Sequence, residues 1–375
     1  MSVGFKVKGW CPGAHRPMMS GDGLVVRVRP RLARLSRDQA LGMCELSIAH
    51  GSGVLELTNR ANIQIRGVAD GALGQLLRDL SDLGLLDYDS HVESRRNILT
   101  MPFWAPGDDT QMVSEIIETV ISDLPQLPAK FGFVVDAGPA PLLAEASADI
   151  RIERGPLGLI LRADGMASGR QVSPDTVADV VKETVAWFDD NRSHDRRRMA
   201  GVLTTTLPPE HWSEVAPHPS TSAPLPGSYG LGALLGAPFG EMDARALSDL
   251  IRSSGSLGLR TTPWRLFILE GAPLPETTAF ITSSDDPLLL TDACPGSPFC
   301  PSASVETRNL ARALAPRVEG RLHVSGCEKG CARAAKADLT LLGRAGRFDL
   351  VENGCAHDEP QRRGLSRAEI LSEIR

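Results

Sequence analysis

Near the start of the chain, apolar and polar positions follow first the period of a strand and then that of a helix. Residues 24–29 alternate and are rich in β-branched side chains, which predicts a strand that ends at a proline. Ser36 is the predicted N-cap of a helix over residues 37–50, because apolar residues fall on one side of that segment. Residues 54–67 are predicted as one long strand, and Asp70 as the cap of a leucine-rich helix that follows.

A weaker copy of this pattern returns in the second half of the chain. Residues 229–238 form a glycine-rich strand candidate, residues 243–254 an amphipathic helix, and residues 259–271 a segment that ends in a strand. A repeat of this length predicts duplication into two half-domains that pack about a pseudo-twofold axis. Two unrelated β-α-β pieces are the alternative that the repeat alone leaves open.

The remaining segments have patterns of their own. Residues 131–136 and 157–163 are predicted strands, and residues 175–190 a helix. Residues 203–227 are rich in proline, threonine and serine, which predicts an extended linker across the surface. Ser366 begins a capping-box sequence that predicts a short helix near the end of the chain.

Composition narrows the class of protein. The 375 residues carry 40 Lys+Arg against 46 Asp+Glu, and this mild acidity argues against a dedicated nucleic-acid binder. No apolar run reaches the length of a membrane helix, and the first residues lack a signal-peptide core, so we expect no membrane partner and a cytoplasmic location. In that reducing compartment, metal binding explains seven cysteines better than disulfides do.

Four of the cysteines form two pairs late in the chain. Their spacing is C-x5-C followed by C-x3-C, at Cys294, Cys300, Cys327 and Cys331. Four thiolates from two loops suit an iron–sulfur cluster or tetrahedral zinc, but five intervening residues are more than zinc knuckles usually have. Cys44 lies on an apolar helix face and is predicted to be a core residue.

This cysteine pattern resembles that of the nitrite and sulfite reductases, whose 4Fe–4S cluster abuts a siroheme. Four upstream segments are also similar to motifs of that family. Residues 27–29 match the family's R-x-R and residues 58–64 its T-x-R-x-x-x-Q. Arg95-Arg96-Asn97 resembles its N-R-N turn, and Ala129-Lys130-Phe131-Gly132 resembles its R-K-F-K segment. The resemblance implies an α+β fold, with two ferredoxin-like half-domains between two α/β lobes and the substrate in the cleft where they meet.

The resemblance also assigns roles to individual residues. It places Arg27, Arg96 and Lys130 as catalytic residues at the substrate, and Arg60, Gln64, Arg66 and Asn97 at the tetrapyrrole; the four paired cysteines become the ligands of the 4Fe–4S cluster. A basic pocket agrees with such a ligand, since a uroporphyrinoid carries up to about eight carboxylates and Arg binds carboxylates bidentately.

Domain boundaries follow from the repeat and the resemblance together. We predict a first half-domain at residues 15–88, a first lobe with tetrapyrrole-binding residues at 89–202, the linker at 203–227, a second half-domain at 228–285, and a second lobe with the iron–sulfur cluster at 286–375.

Two departures from the family favour one of its branches. Gly132 stands where the reductases carry a second lysine against their small anion, and Lys329 stands where they carry an asparagine that helps to seat siroheme. A branch in aerobic cobalamin biosynthesis is similar in residues 9–18, 130–136 and 325–331. That similarity implies O2-dependent hydroxylation of precorrin-3A at C20 with γ-lactone formation, and electrons from a separate reductase or ferredoxin.

Several assignments stay open at this point. The branch is described as having a mononuclear non-haem iron, for which Cys11, His15, His323, Cys355 and His357 are candidate ligands. A siroheme- and 4Fe–4S-dependent sulfite or nitrite reductase is the alternative function. A non-catalytic iron–sulfur electron carrier or tetrapyrrole-binding protein is the second alternative.

Overall fold

The computed structural model of the protein describes residues 12–374. The first half-domain contains β1 (Met18–Ser20), β2 (Gly23–Val28), β3 (Arg34–Ser36), α1 (Arg37–His50), β4 (Val54–Leu57), β5 (Ile63–Val68) and α2 (Leu73–Asp82). The prediction for α1 is confirmed, because the Ser36 hydroxyl accepts from the Gln39 N–H in a capping box.

The single long strand predicted over residues 54–67 is wrong. β4 and β5 form an antiparallel hairpin, and the chain turns between them at residues 58–62. The backbone N–H groups of Arg60 and Asn62 donate to the Thr58 hydroxyl at 3.3 and 3.1 Å. A threonine side chain therefore stabilises a turn that contains no glycine or proline to mark it in the sequence.

The predicted helix cap at Asp70 is also wrong, because a 3-10 turn separates this residue from α2 and no side chain caps α2. The 3-10 turns of the described chain lie at Arg31–Ala33, Asp70–Ala72, Ile121–Asp123, Glu210–Trp212, Pro238–Gly240, Pro287–Leu290 and Ala315–Arg317.

The first lobe is a five-stranded sheet with helices packed against it. Its elements are α3 (Ser90–Arg95), β6 (Ile98–Thr100), α4 (Asp109–Val120), β7 (Phe133–Asp136), β8 (Ile150–Gly155), β9 (Gly158–Ala163), β10 (Arg170–Val172), α5 (Val177–Asn191) and α6 (Met199–Leu203). The strand order is β10-β9-β8-β7-β6. Phe131, Phe133 and Phe188 are buried together in its core, where their large apolar area supplies much of the packing energy.

The second half-domain repeats the architecture of the first. Its elements are β11 (Gly227–Tyr229), β12 (Gly232–Gly236), β13 (Glu241–Asp243), α7 (Ala244–Ser254), β14 (Gly258–Thr261) and β15 (Leu266–Glu270). The half-domains exchange strands, since one sheet runs β1-β2-β5-β4-β13 and the other β11-β12-β15-β14-β3. Gly67, near the end of β5, and Gly271, directly after β15, have φ values of 68° and 69°. The predicted duplication is confirmed.

The second lobe places two parallel strands beside the cysteine loops. It contains β16 (Thr291–Ala293), α8 (Arg308–Leu314), β17 (Leu322–Ser325), β18 (Ala337–Arg344), β19 (Arg347–Gly354), β20 (Arg362–Leu365) and α9 (Arg367–Glu373), with the strands in sequence order. β16 and β17 are parallel, so their carboxyl ends reach the same edge of the sheet. The capping box predicted at Ser366 is confirmed.

The proline-rich linker crosses the surface of the first lobe. Trp212 is buried with its ring 5.1 Å from that of Trp187, and the N–H of His218 donates to the carbonyl of Arg154 at 2.8 Å. These contacts give the segment fixed anchor points. Within residues 12–374, no helix combines the length and the apolar character that crossing a bilayer requires.

Candidate functional site

One side of the first half-domain sheet is polar, while its other side packs on helices. Val26 and Ile65 are fully buried against those helices, so the alternating residues Arg27 and Gln64 point to the opposite side. Nη2 of Arg27 donates to Oε1 of Gln64 at 2.8 Å, and Nε2 of Gln64 donates to Glu56 at 3.3 Å. Glu56 therefore orients the amide so that its oxygen lies toward Arg27. We name the side that carries Arg27, Gln64, Glu56 and Arg66 the first face.

Arg60 and Lys130 approach each other from different parts of the chain. Nη2 of Arg60, in the turn between β4 and β5, donates to the carbonyl oxygen of Lys130 at 3.3 Å. The Lys130 side chain is exposed in the loop before β7. Nδ2 of Asn97 donates to the carbonyl of Phe131 at 2.9 Å and so ties this loop to the first lobe. The structure thus brings Arg60 to the backbone of Lys130 and gives Asn97 a structural contact.

Arg96 is engaged inside the protein. It is 6% exposed, and its Nε and Nη2 each donate to the Asp87 carboxylate at 2.9 Å. Its Nη2 also donates to the carbonyl of Arg29 at 2.8 Å. A paired, buried guanidinium of this kind braces the junction of the first half-domain and the first lobe, so a direct catalytic role for Arg96 has no support in its contacts.

The four paired cysteines lie near each other at one edge of the second lobe. Cys294 directly follows β16, and Cys327 comes two residues after the parallel strand β17. Burial raises the pKa of the Cys331 thiol, and the charges of Cys327, Cys294 and Cys300 raise it further. Burial likewise raises the pKa of the Cys327 thiol. Such mutual repulsion requires proximity, and binding a cationic cluster would relieve it.

Backbone groups crowd around these sulfurs in the way an iron–sulfur cluster requires. The N–H of Gly326 donates to Sγ of Cys294 at 3.2 Å. A Cβ at residue 326 would lie 2.6 Å from Cβ of Ala303, and one at Gly296 would lie 2.5 Å from the Thr307 hydroxyl. Glycine is therefore needed at both positions, and at residue 326 it leaves the N–H close to the Cys294 thiol. The residues fit a 4Fe–4S cluster.

A site for a single metal ion does not emerge from the part of the chain that the structure describes. No three His, Cys, Asp or Glu side chains among residues 12–374 converge as the donors of one ion would. The described residues therefore do not present the donor set of a mononuclear iron.

The candidate ligands of a mononuclear iron are scattered. Nε2 of His15 lies 2.7 Å from the carbonyl oxygen of Asp87, and Sγ of Cys355 donates to a carbonyl oxygen at 3.4 Å. His323 is fully buried beneath the second cysteine loop, neither ring nitrogen has a partner, and burial lowers its pKa to about 4. His357 is exposed, and Cys11 lies outside the described residues.

One cavity of the described chain lies outside the first face. A cavity of about 360 Å³ lies between the second half-domain, the linker and the second lobe, with Trp264, Arg265 and Asp292 in its wall. It is not lined by Arg27, Gln64 or Lys130. These predicted ligand residues are therefore not part of this cavity.

Comparisons with known proteins agree with this architecture. Residues 16–83 match the nitrite/sulfite reductase ferredoxin-like half domain. The chain is 28% identical to a precorrin-3B synthase from Sinorhizobium sp., over 94% of this chain and 84% of the relative. It is 23% identical to a ferredoxin–nitrite reductase from Synechococcus elongatus, over 79% of this chain and 71% of the relative. The solved Mycobacterium tuberculosis NirA protein has the same fold, with a TM-score of 0.64 and 19% identity over 94% of this chain and 79% of NirA.

The chain is therefore similar to the nitrite and sulfite reductases in its fold, and residues 16–83 match their ferredoxin-like half domain. The fold predicted from the resemblance, with duplicated ferredoxin-like half-domains and two α/β lobes, is confirmed. One departure from the reductase pattern lies at Gly132. A Cβ at this position would lie 2.6 Å from Nδ2 of Asn97, so a side chain here would have to displace the Asn97 amide.

The second departure lies in the loop between Cys327 and Cys331. Nζ of Lys329 donates to the Ser302 hydroxyl at 2.9 Å, and Ser302 follows the first cysteine pair. Lys329 thus connects the two cysteine loops, whereas the family's asparagine is associated with siroheme. The positive charge of Lys329 partly offsets the burial that raises the pKa values of Cys327 and Cys331.

Sequence reasoning missed the ionic network that joins the first face to the second lobe. Glu56 is 6% exposed and accepts from Gln64, Arg66 and Arg308, the last of which begins α8. Arg308 also donates to Glu241 of β13. Strand alternation on β4 places Glu56 on the same side as Gln64, but the sequence contains no signal for a partner about 250 residues away.

Proposed function

We propose that this protein catalyses the O2-dependent hydroxylation of precorrin-3A at C20, with closure of a γ-lactone from the ring-A acetate, to give precorrin-3B in aerobic cobalamin biosynthesis. Similarity to the Sinorhizobium precorrin-3B synthase over 94% of the chain supports this assignment. The observation that carries it is a first face whose polar and cationic side chains remain, while glycine stands at residue 132, where the reductases carry their second lysine. Such a site keeps macrocycle recognition and loses anion recognition.

In this proposal, the residues around the first face bind the peripheral carboxylates of precorrin-3A. Arg27 and Arg60 supply planar guanidinium groups, and Lys130 supplies an exposed ammonium group at the entrance. Gln64 holds Arg27 in place through its amide oxygen. Charge-assisted hydrogen bonds of this kind are about twice as strong as neutral ones and fix the orientation of the macrocycle.

The proposed electron relay is a 4Fe–4S cluster held by Cys294, Cys300, Cys327 and Cys331. When bound, the cluster would supply single electrons to the reaction. The chain's part is to keep the four thiols in two loops at one edge of the second lobe and to direct the Gly326 N–H at Cys294. The described residues do not fit the mononuclear iron that the branch resemblance implies.

The proposed reaction consumes one O2, two electrons and three protons for each precorrin-3A whose ring-A acetate is ionised. One oxygen atom becomes the C20 hydroxyl group, and the other leaves as water with two of the protons. The acetate oxygen adds to the ring-A carbon bonded to C20 as the carbon–carbon double bond between these two atoms opens, and the third proton completes the C20 hydroxyl group. We propose that a separate reductase or ferredoxin supplies the electrons and that the reaction takes place in the cytoplasm.

Oxygen consumption tests the proposal. Anaerobic protein loaded with precorrin-3A and a reductant is mixed with oxygenated buffer, and O2 is followed with an electrode. We expect one O2 to disappear for each precorrin-3A, beyond the uptake seen without the tetrapyrrole. Consumption that does not depend on precorrin-3A would contradict the proposal.

A siroheme-dependent sulfite or nitrite reductase is the second candidate, because nitrite reductases are similar to this chain over much of its length. Colour separates the two functions. Stoichiometric siroheme bands together with sulfite or nitrite reduction would favour the reductase, whereas the broad brown absorbance of a cluster alone favours the hydroxylase. Cluster absorbance without any turnover would favour the third class, a non-catalytic electron carrier or tetrapyrrole-binding protein.

A further inference from the structure

The carbonyl oxygen of Phe299, the residue before Cys300, connects the second lobe to the first half-domain through three hydrogen bonds. It accepts from the Ser20 hydroxyl at 2.7 Å, from the N–H of Gly21 at 3.1 Å and from Nη2 of Arg66 at 3.2 Å. All three donors belong to the first half-domain. A carbonyl oxygen has two lone pairs, so three converging donors hold this peptide group in one orientation.

The backbones approach each other so closely here that the contact depends on a glycine. A Cβ at Gly21 would lie 2.2 Å from the carbonyl oxygen of Pro298 and 3.0 Å from the carbonyl carbon of Phe299. The turn between β1 and β2 therefore packs directly on the loop that carries Cys300. On the other side of that peptide group, the N–H of Cys300 donates to the Gly296 carbonyl at 2.8 Å.

Arg66 is held rigidly in position to make this contact. It is 5% exposed, its Nε and Nη2 donate to Asp22 at 2.9 and 2.8 Å, and its Nη1 donates to Glu56 at 3.2 Å. Three hydrogen bonds to two carboxylates fix the plane of the guanidinium group. A lysine could keep the charge but not this fork of donors.

The same network reaches the residues proposed to bind precorrin-3A. Glu56 also accepts from Gln64, and Gln64 accepts from Arg27. Hydrogen bonds therefore run without a gap from Arg27 through Gln64, Glu56 and Arg66 to the Phe299 carbonyl. This path joins the first face to the backbone beside a cluster cysteine.

We propose that Arg66 is a positioning residue for the 4Fe–4S cluster: it fixes the Phe299–Cys300 peptide group and thereby sets how the Cys300 thiolate meets the cluster. This role replaces the direct tetrapyrrole contact predicted for Arg66, because its donors are engaged by Asp22, Glu56, Ser20 and Phe299. The inference rests on the cluster of the proposed function.

The second half-domain provides a matched control. Strand register makes Glu270 the counterpart of Arg66 and Arg260 the counterpart of Glu56. Arg260 is 3% exposed and bonds to Glu270, so it is buried and paired as Arg66 is. Its Nη1 donates to the carbonyl oxygens of Pro102 and Trp104, so Arg260 contacts the first lobe where Arg66 contacts the second.

The test compares the full-length wild-type protein with the variants Arg66→Lys, Arg66→Gln and Arg260→Lys after anaerobic purification. Iron content, the EPR spectrum of the reduced cluster and the rate of cluster loss to a chelator are measured, with circular dichroism to check the fold. We expect both Arg66 variants to change the EPR spectrum and to lose the cluster about tenfold faster, as for other outer-shell partners of metal sites. Arg260→Lys is expected to keep the wild-type spectrum and rate.

Each other outcome overturns the inference. Folded Arg66 variants with a wild-type spectrum and loss rate would remove the positioning role, while leaving the proposed function intact. Equal changes in Arg260→Lys would reduce the effect to a general loss of stability. A wild-type protein that takes up no iron would overturn the cluster of the proposed function as well, and that result is visible before any variant is compared.

Discussion

In the first half-domain, Arg27 lies opposite Gln64 across β2 and β5, whereas the register-matched pair in the second half-domain is Leu234 and Ile268. The turn after β4 carries Arg60 two residues beyond Thr58, and the turn after β14 carries Trp264 two residues beyond Thr262. In each turn, the threonine hydroxyl accepts from the backbone N–H groups two and four residues after it. The backbone is thus repeated, while polar and cationic side chains are replaced by apolar ones.

The second face, which carries Leu234, Ile268, Arg260 and Glu270, is covered by the protein itself. Leu234 and Ile268 are fully buried, and Phe103 of the first lobe packs against them with Trp264 and Leu289. The difference teaches that one fold can produce either a ligand surface or a packing surface. The choice depends on a few side chains on alternating strand positions.

The buried ion pairs of the two faces are related by reversal of charge. Glu56 and Arg66 of the first face correspond to Arg260 and Glu270 of the second. The first network contacts the second lobe through Arg308 and Phe299, and the other contacts the first lobe through the carbonyls of Pro102 and Trp104. Residues at equivalent strand positions therefore connect each half-domain to a different lobe.

The largest expected effect comes from removing a cluster ligand in the cysteine loop that contacts the first face. Cys300→Ser should lower the iron content from about four atoms per chain to near zero, because one thiolate ligand is lost. Cys44→Ser is the control, since Cys44 is fully buried in the core and burial raises its pKa to about 12. Iron and sulfide analysis measures the effect. A Cys300 variant with a full complement of iron would contradict the ligand assignment.

The next effect concerns the ionic network and its pH dependence. Burial alone would raise the pKa of Glu56, but Arg308 and Arg66 together hold it below the ordinary value of 4.5. Glu56 therefore stabilises the fold above pH 4.5, and this contribution is lost as the pH falls through its folded-state pKa. Glu56→Gln should lower the free energy of unfolding by about 3 kcal/mol at pH 7, since it leaves buried arginines without their carboxylate.

Denaturant titrations at a series of pH values check this prediction. The difference between the wild-type protein and Glu56→Gln should shrink as the wild-type carboxyl is protonated in acid. A difference that stays constant down to acid pH would contradict the assigned role. Glu270→Gln tests the counterpart network, because Arg34 and Arg260 hold the pKa of Glu270 low against the effect of burial.

A third experiment converts the first face toward the second. The double variant Arg27→Leu, Gln64→Ile places on β2 and β5 the residues that the second half-domain carries at the same register. Precorrin-3A affinity should fall about 100-fold, because a charge-assisted contact and the amide that positions it are both lost. Anaerobic equilibrium dialysis measures the dissociation constant. Ile268→Val is the control and should bind as the wild-type protein does.

The smallest effect is expected at the edge of the site. Lys130 is exposed, and solvent screens its charge. Lys130→Met should therefore weaken precorrin-3A binding by up to about tenfold and make it less sensitive to salt. Lys182→Met, in α5 of the same lobe and paired with Asp123, should leave binding unchanged. Equal losses in the two variants would show that only net charge matters.

Local patterns were sufficient to predict much of the fold. Ser36 and the helix it caps were predicted because an N-cap residue directly precedes a segment with apolar residues on one side, and both signals lie within the segment itself. The hairpin at residues 58–62 was missed, because a threonine hydroxyl closes that turn without glycine or proline. The exchange of β3 and β13 was also missed, since three-residue strands have no measurable period and their partners lie in the other half of the chain.

The candidate site could be predicted only in part for the same reason. The cysteine spacing predicts four neighbouring thiols, and the structure brings them together. Arg66 and Arg96 match family motifs, but their nearest carboxylates decide what they can do. Those partners, Asp22, Glu56 and Asp87, are brought to them by the fold, and no motif marks them in the sequence.

The most direct test of the proposed function is the mass of the product formed in isotopically labelled O2. Anaerobic protein with its reduced cluster is loaded with precorrin-3A, exposed to labelled oxygen and analysed by mass spectrometry. The account predicts a product that has gained one oxygen atom, carrying the label, together with labelled water. Unchanged precorrin-3A, or a product whose added oxygen comes from solvent, would contradict the proposed function.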